Sequence, residues 1–413
     1  MSNSLLINPS AFEAGLEAAF RARTSVTETH GAAYERFASQ HLPNRRREGW
    51  KWSDYNAALR SVSPASAPDA VETIAPSAFA PLDPIEIQIV NGRVILPTDA
   101  APKGVRFGIM DAVGTIPELE THAIASMNVA MSPKAFGLEI KNGVLFNRPV
   151  LIRHIGNGAA PIFSQTMIRV GEKAFATIIE TYEGATPALA SHLCHLVIRD
   201  GGSLNRFIMN ETDDNTVNHS ICAAKIEERA HFRQTSLSTG ARLSRHETVL
   251  HFWGEGAKAQ IDSAALLRSD RHADFTTHVL HKAPGCETRQ LHKGVADEKG
   301  RAVFQGKFEV QRAAQKTDAK MTANALLLSN GAEANHKPEL EIYADDVECA
   351  HGSTCGALDA DALFYLRQRG LNEHQARALL IEAFAGEVID VIENDEIREV
   401  YTAKVSQWLE ARA

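Results

Sequence analysis

The chain has 413 residues, of which 44% are hydrophobic and 23% charged, enough for one large domain or two to three smaller ones with a substantial core. Its formal net charge of -8 argues against a nucleic-acid binder, whose footprint would be a basic face. With no long apolar run, and a start MSNSLLINPSAFEAGLEAAF without a basic leader or apolar middle, no membrane span or secretion signal is expected and a cytoplasmic location is the expectation.

Residues 1–60 read as helical. Phe12, Leu16 and Phe20 recur every four residues after Ser10, an N-cap with Glu13 placed for a capping box, and a second periodic segment runs through Tyr34, Phe37 and Leu42. Arg45, Arg46 and Arg47 then precede Trp50, Lys51 and Trp52, which reads as an exposed turn leading into two anchoring aromatics. Residues 61–84 carry Pro64, Pro68, Pro76, Pro81 and Pro84 among Ala and Ser, the composition of a linker.

Residues 85–356 form the β core. Short runs such as Ile85 to Val90, Phe136 to Ile140, Val150 to Ile155, Leu204 to Met209 and Val249 to Trp253 are punctuated by Asn91-Gly92, Asn142-Gly143 and scattered glycines. So many short strands fit a barrel, two sandwiches or a β-solenoid, and the solenoid is favoured although no strict repeat aligns. Residues 357–413 return to helix: Asp359 or Asp361 caps a helix ended by Gly370, Asn372 caps the next, and Val388 to Leu409 supplies another. These read as a small appendage on the end of the β domain.

No Walker A, G-x-G-x-x-G, H-E-x-x-H or G-x-S-x-G pattern occurs, so the chain is not expected to be a nucleotide hydrolase, a dehydrogenase or an α/β hydrolase, or to bind nucleotide itself. The cysteines Cys194, Cys222, Cys286, Cys349 and Cys355 lack any C-x-x-C spacing, so neither a disulfide framework nor a self-contained metal site is indicated. The informative stretch is ANHKPELEIYADDVECAHGSTCGALD from Ala334 to Asp359. Within it Cys349 and His351 lie two apart, so a strand would present both on one face. Both are donors for a borderline metal, but two ligands leave a tetrahedral site incomplete, and a partner or another part of the fold must supply the rest. Asp345 or Asp346 could orient His351 by hydrogen bond. Cys355 is expected to be buried and inert, and Cys349 has the plain alternative of a small buried hydrophobe. A three-histidine site from His272, His278 and His281 would need a bend, because His281 falls on the opposite strand face.

The order of features resembles the SufB/SufD family of iron-sulfur cluster assembly proteins. The resemblance rests on Pro43, Trp50, Lys51 and Trp52, on Thr317-Asp318-Ala319, Leu326 to Ser329, Lys337 to Ile342, the C-x-H-G run and Leu363 to Gly370. Gly352 after His351, and no cysteine before Cys194, point to the SufD type rather than the SufB type. The resemblance implies a right-handed parallel β-helix flanked by helical regions. It also implies a non-catalytic scaffold that pairs with SufB and docks the SufC ATPase. Cys349 and His351 would be candidate ligands for iron or a nascent iron-sulfur cluster, transient and shared with SufB. Leu363, Phe364, Leu366, Leu379, Leu380 and Phe384 are the candidate SufC-docking residues, and an open solenoid end invites strand pairing, so the isolated chain is expected to form a homodimer or to pair with SufB. Two alternatives stand beside this reading: a purely structural SufB partner without its own ligand, and an independent β-helix enzyme acting on polysaccharide.

Overall fold

The structure is a computed structural model that describes residues 6–62, 74–114, 116–158, 160–184 and 188–411. Three helices open the chain: α1 (Ala11–Arg21), α2 (Glu28–Gln40) and the single-turn α3 (Tyr55–Ala58). The Ser10–Glu13 capping box is formed, with the Glu13 carboxylate accepting from the Ser10 N–H at 2.7 Å. Of the proposed linker, residues 63–73 lie outside the described residues. Just beyond them Phe79 and Leu82 are buried, Phe79 edge-on to Tyr401.

The β core is a solenoid of about 8 turns. It begins with a hairpin of β1 (Ile85–Val90) and β2 (Arg93–Ile95), turned at Asn91 and Gly92, both with positive φ as a two-residue type I′ turn demands. A second antiparallel pair joins β3 (Val105–Met110) to β4 (Ala135–Ile140). The later strands pair in parallel: β5 joins β1, β6 joins β4, and each strand from β7 to β19 pairs with the one two before it. One sheet holds β5 (Leu145–Gly156), β7 (Phe175–Gly184), β9 (Ser203–Asn210), β11 (His231–Ser238), β13 (Lys258–Leu267), β15 (Glu287–Ala296), β17 (Asp318–Leu327) and β19 (Glu348–Gly356). The other holds β6 (Ile162–Val170), β8 (Leu189–Ile198), β10 (Val217–Ile226), β12 (Leu243–Phe252), β14 (His272–His281), β16 (Arg301–Val310) and β18 (Glu333–Ile342). Coil length varies: Ser220 stacks on His246, 26 residues on, whereas Arg245 stacks on Asp274, 29 residues on. A drifting period is why no repeat aligns in the sequence.

Alternate residues of each strand point into the solenoid, and at its N-terminal end they are apolar: Ile87, Ile89, Phe136, Leu138 and Ile140. The opposite faces carry apolar residues where helices cover them, as on Leu193 and Ile221 of one sheet and Ile179 and Phe207 of the other. One helix lies inside the β region, α4 (Ala123–Met131), which the weak periodicity of that region hid: it is buried on all sides, so no amphipathic stripe marks it. With α1 and α2 it covers Leu189, Leu193, Val217 and Ile221 on one sheet.

The C-terminal helices are α5 (Ala360–Gln368), α6 (Glu373–Ile389) and α7 (Asp395–Glu410), capped by Asp359, Asn372 and Asn394. Where the sequence suggests one continuous segment from Val388 to Leu409, residues 390–394 break it. Helices α6 and α7 do not sit on the end of the solenoid. They cover the outer face of the other sheet, over Leu151, Ile179, Phe207, Met209 and Leu237, and the Tyr401 hydroxyl donates to the Ile208 carbonyl at 2.9 Å. The residues read as a small appendage are therefore part of the core.

Candidate functional site

At the C-terminal end of the solenoid β18 and β19 are the last strands of their sheets. The Glu348 N–H bonds back to Thr317, so the odd-numbered residues of β19 aim their backbone groups off the sheet. On β18 the Glu333 N–H bonds back to Gly300, which leaves the even-numbered positions facing outward. Pro338 occupies one of these, where a missing N–H breaks no internal bond and blunts the edge. The open edge with its full set of donors is thus β19.

The register of β19 places Cys349 on Ala319 and His351 on Met321, both buried in the solenoid interior. The two side chains therefore share the inward face at the mouth, as their spacing predicts. Cys349 is half-buried against the core, and burial pushes its thiol up, so it is a weak nucleophile until a metal or cation draws off the proton. His351 is exposed. Cys355, expected to be buried, is exposed, because the interior it would have entered is uncapped at this end. Asp346 pairs with Lys316. One neighbour at the mouth had no signal in sequence spacing: the His336 Nδ1 lies 2.8 Å from the Ser353 Oγ, tying β18 to β19 across the opening.

The three histidines of β14 do not converge. His272 and His278 face outward, to Ser53 and Glu309, while His281 points inward to Thr288. Among the described residues one group of three metal-type donors gathers, and the sequence reading missed it because its members lie on three separate elements: His122, His219 and Glu247, with ligand atoms within 4.8 Å of one another. It borders a cavity of about 280 Å³ under Trp50. The His122 Nδ1 accepts the Ala125 N–H at the start of α4, so its proton sits on Nε2, which donates to Glu247 at 3.2 Å. His219 at 2.6 Å and Arg245 at 3.0 Å share the same carboxylate oxygen. Burial alone would raise the Glu247 carboxyl, but Arg245, then His122, hold it well below the usual carboxylate range. Glu247 is a hydrogen-bond hub that fastens the start of α4 to the sheet, and the Arg245 guanidinium also lies 4.0 Å from the centre of the Trp50 ring. That contact explains the tryptophan of the W-K-W run.

Polar groups share the interior with apolar ones. Midway, Arg206 and Glu180 form a two-pronged ion pair with both bonds at 2.9 Å, and each residue is 1% exposed. Arg206 also donates to Gln234 at 2.7 Å, which reaches His246 and Thr248. Beyond this, Gln290, His292 and His336 continue the polar lining toward the mouth.

Residues 153–384 match the family model described as SUF system FeS cluster assembly, SufBD core domain. The chain belongs to the SufBD family. It is similar to the iron-sulfur cluster assembly protein SufD of Escherichia coli, 29% identical over 92% of this chain and 95% of that protein. It is also similar to the chloroplastic protein ABCI7 of Arabidopsis thaliana, 27% identical over 75% of this chain and 70% of the relative. A SufBD family protein of Synechocystis is 40% identical over 45% of this chain, 41% of its own length. The SufBD core match runs from β5 into α6 and takes in the ion pair, the mouth and the first C-terminal helix. On those SufBD helices the six apolar candidates divide. Phe364 and Leu379 stand exposed at 64% and 46%, and Leu363, Leu366 and Leu380 are half-buried. Phe384 turns toward the core and lies 4.5 Å over the ammonium of the buried Lys293.

Proposed function

We propose that this SufBD chain is a non-catalytic scaffold of iron-sulfur cluster assembly. It pairs with SufB through the open solenoid end, docks the SufC ATPase through α5 and α6, and offers Cys349 and His351 to iron or a nascent cluster at the SufB interface. The observation that carries the reading is the shared inward face of Cys349 and His351 on an uncapped terminal strand. Two donors at an open edge make a half-site, which gains affinity only when a second chain pairs with that edge and adds the missing ligands, so assembly and metal binding are linked. The exposed Phe364 and Leu379 supply an apolar surface of the kind a partner buries.

The test is anaerobic cluster reconstitution in the complex with SufB and SufC, comparing wild type with Cys349→Ala and His351→Ala after confirming that each assembles. Loss of iron and of the visible thiolate-to-iron absorption in an assembled His351→Ala complex is the expected result. Full cluster in both variants would reduce the chain to a structural partner without its own ligand. For docking, Phe364→Asp with Leu379→Asp should abolish SufC capture and leave SufB pairing unchanged; retained capture sinks that part of the reading. Removing the C-terminal helices altogether is a poor test, since it strips the cover from a sheet.

A further inference from the structure

Just inside the mouth, His292 and His336 meet edge to face, ring centres 6.0 Å apart at 88°. Each has one nitrogen fixed by a serine: the His292 Nδ1 lies 2.8 Å from the Ser263 Oγ and the His336 Nδ1 2.8 Å from the Ser353 Oγ. Each has its Nε2 buried with no partner. His292 is 0% exposed, and buried imidazole nitrogens are ordinarily satisfied, so an orphaned pair in ring contact calls for an explanation. An orphaned N–H is the costlier form, which favours the proton on Nδ1, donated to serine, and a lone pair on each Nε2. Burial keeps both rings neutral, and His336 adds to the effect at His292.

Glycine is required at position 294, where a Cβ would stand 2.9 Å from the Ala302 Cβ and 3.5 Å from the His292 Nε2. Between His292 and the rim residue Ser353 the intervening strand contributes only Ala323. Between Gly294 and Cys355 it contributes only Ala325. Small side chains thus line the way from the mouth to the orphaned nitrogens.

We propose that His292 and His336 form an inner port for a divalent transition cation, held through both Nε2 atoms with water completing its shell. Neutral imidazole suits the borderline divalent ions, ferrous iron among them. The inference rests on the proposed function for its cargo: the port would hold the iron behind the rim donors Cys349 and His351 before a cluster forms. No electron transfer or bond cleavage is involved.

The experiment is anaerobic titration of the full chain with Co(II) and with Fe(II), with X-ray absorption at the cobalt edge to count imidazole ligands. The variants are His336→Gln, whose amide can still reach Ser353, His292→Gln, and His351→Ala as control, with folding checked by circular dichroism. Wild type should show two imidazoles. His336→Gln should show one, with affinity lowered by at least about tenfold, the scale on which groups around a metal act. His351→Ala should retain the two-imidazole signal. His336→Gln binding cobalt as wild type does would overturn the port and assign the nitrogens to a bound water. The rim and port readings fail separately: loss of cluster in His351→Ala beside normal cobalt binding in His336→Gln removes only the port, and the reverse pattern removes only the rim site.

Discussion

At its N-terminal end the solenoid is closed by antiparallel additions, β2 on β1 and β3 on β4, over an interior of Ile87, Ile89, Phe136 and Ile140. At its C-terminal end, among the described residues, no strand lies beyond β18 and β19, and the inward positions include His336, Cys349, His351 and Ser353 beside the apolar Leu340. The same backbone repeat thus ends once in a dry apolar plug and once in a polar, unpaired edge. Strand edges left open invite another chain. One end is therefore closed and the other open, while polar groups such as Ser164, His192 and the Arg206–Glu180 pair share the interior between them with apolar ones such as Phe304 and Phe308.

The largest effect is expected at the Arg206–Glu180 pair. Arg206→Ala leaves the Glu180 carboxylate buried without its partner and should lower stability by about 3–5 kcal/mol in urea unfolding, whereas the double change Arg206→Met with Glu180→Leu should recover most of it. A double variant no more stable than the single would mean that the pair is not the point of failure. At the closed end, Phe136→Ala opens a cavity and should cost about 3–5 kcal/mol. His351→Ala at the open end should stay within about 0.5 kcal/mol, and equal losses at the two ends would erase the contrast.

Acid should act through the buried histidines. Burial holds His154, His246 and His281 down to about 3 and His195, His219 and His272 down to about 4, against 6.5 unperturbed. Below 6.5 the unfolded chain binds protons that the folded chain refuses, so their contribution is full above pH 6.5 and is lost as pH falls toward 4. The slope is on the order of 1.4 kcal/mol per pH unit per histidine. Asp262, raised by burial to about 6, works in the opposite direction as a single carboxyl. The urea midpoint should drop between pH 7 and pH 5; a flat profile would contradict neutral buried imidazoles. The smallest effect concerns the open edge. Cys355→Pro removes an N–H that points off β19, so it should leave stability nearly unchanged yet weaken self-association of the isolated chain about tenfold in sedimentation, the scale of one to two net hydrogen bonds. Unaltered association would place the contact elsewhere.

Much of this was legible in the residues. The Ser10–Glu13 cap, the Asn91-Gly92 turn, the caps at Asp359 and Asn372 and the shared face of Cys349 and His351 all depend on neighbours within a few positions, where spacing translates directly into geometry. Helix α4 was not legible, because burial on every side removes the periodicity that betrays a helix. Nor was the His122–His219–Glu247 hub, whose members meet only when α4 lies across β10 and β12.

The sequence by itself determined that the chain is strand-rich in the middle and helical at both ends, that its C-x-H pair faces one way, and which family it resembles. Only the tertiary structure decided that the C-terminal helices cover a sheet, that Cys355 is exposed and that His292 and His336 meet inside the mouth. The physical reason is the coil. Strand parity sets which way a side chain points, but a coil length that ranges from 26 residues between Ser220 and His246 to 32 between Arg301 and Glu333 decides which side chains it meets, and that register exists only once the turns are stacked.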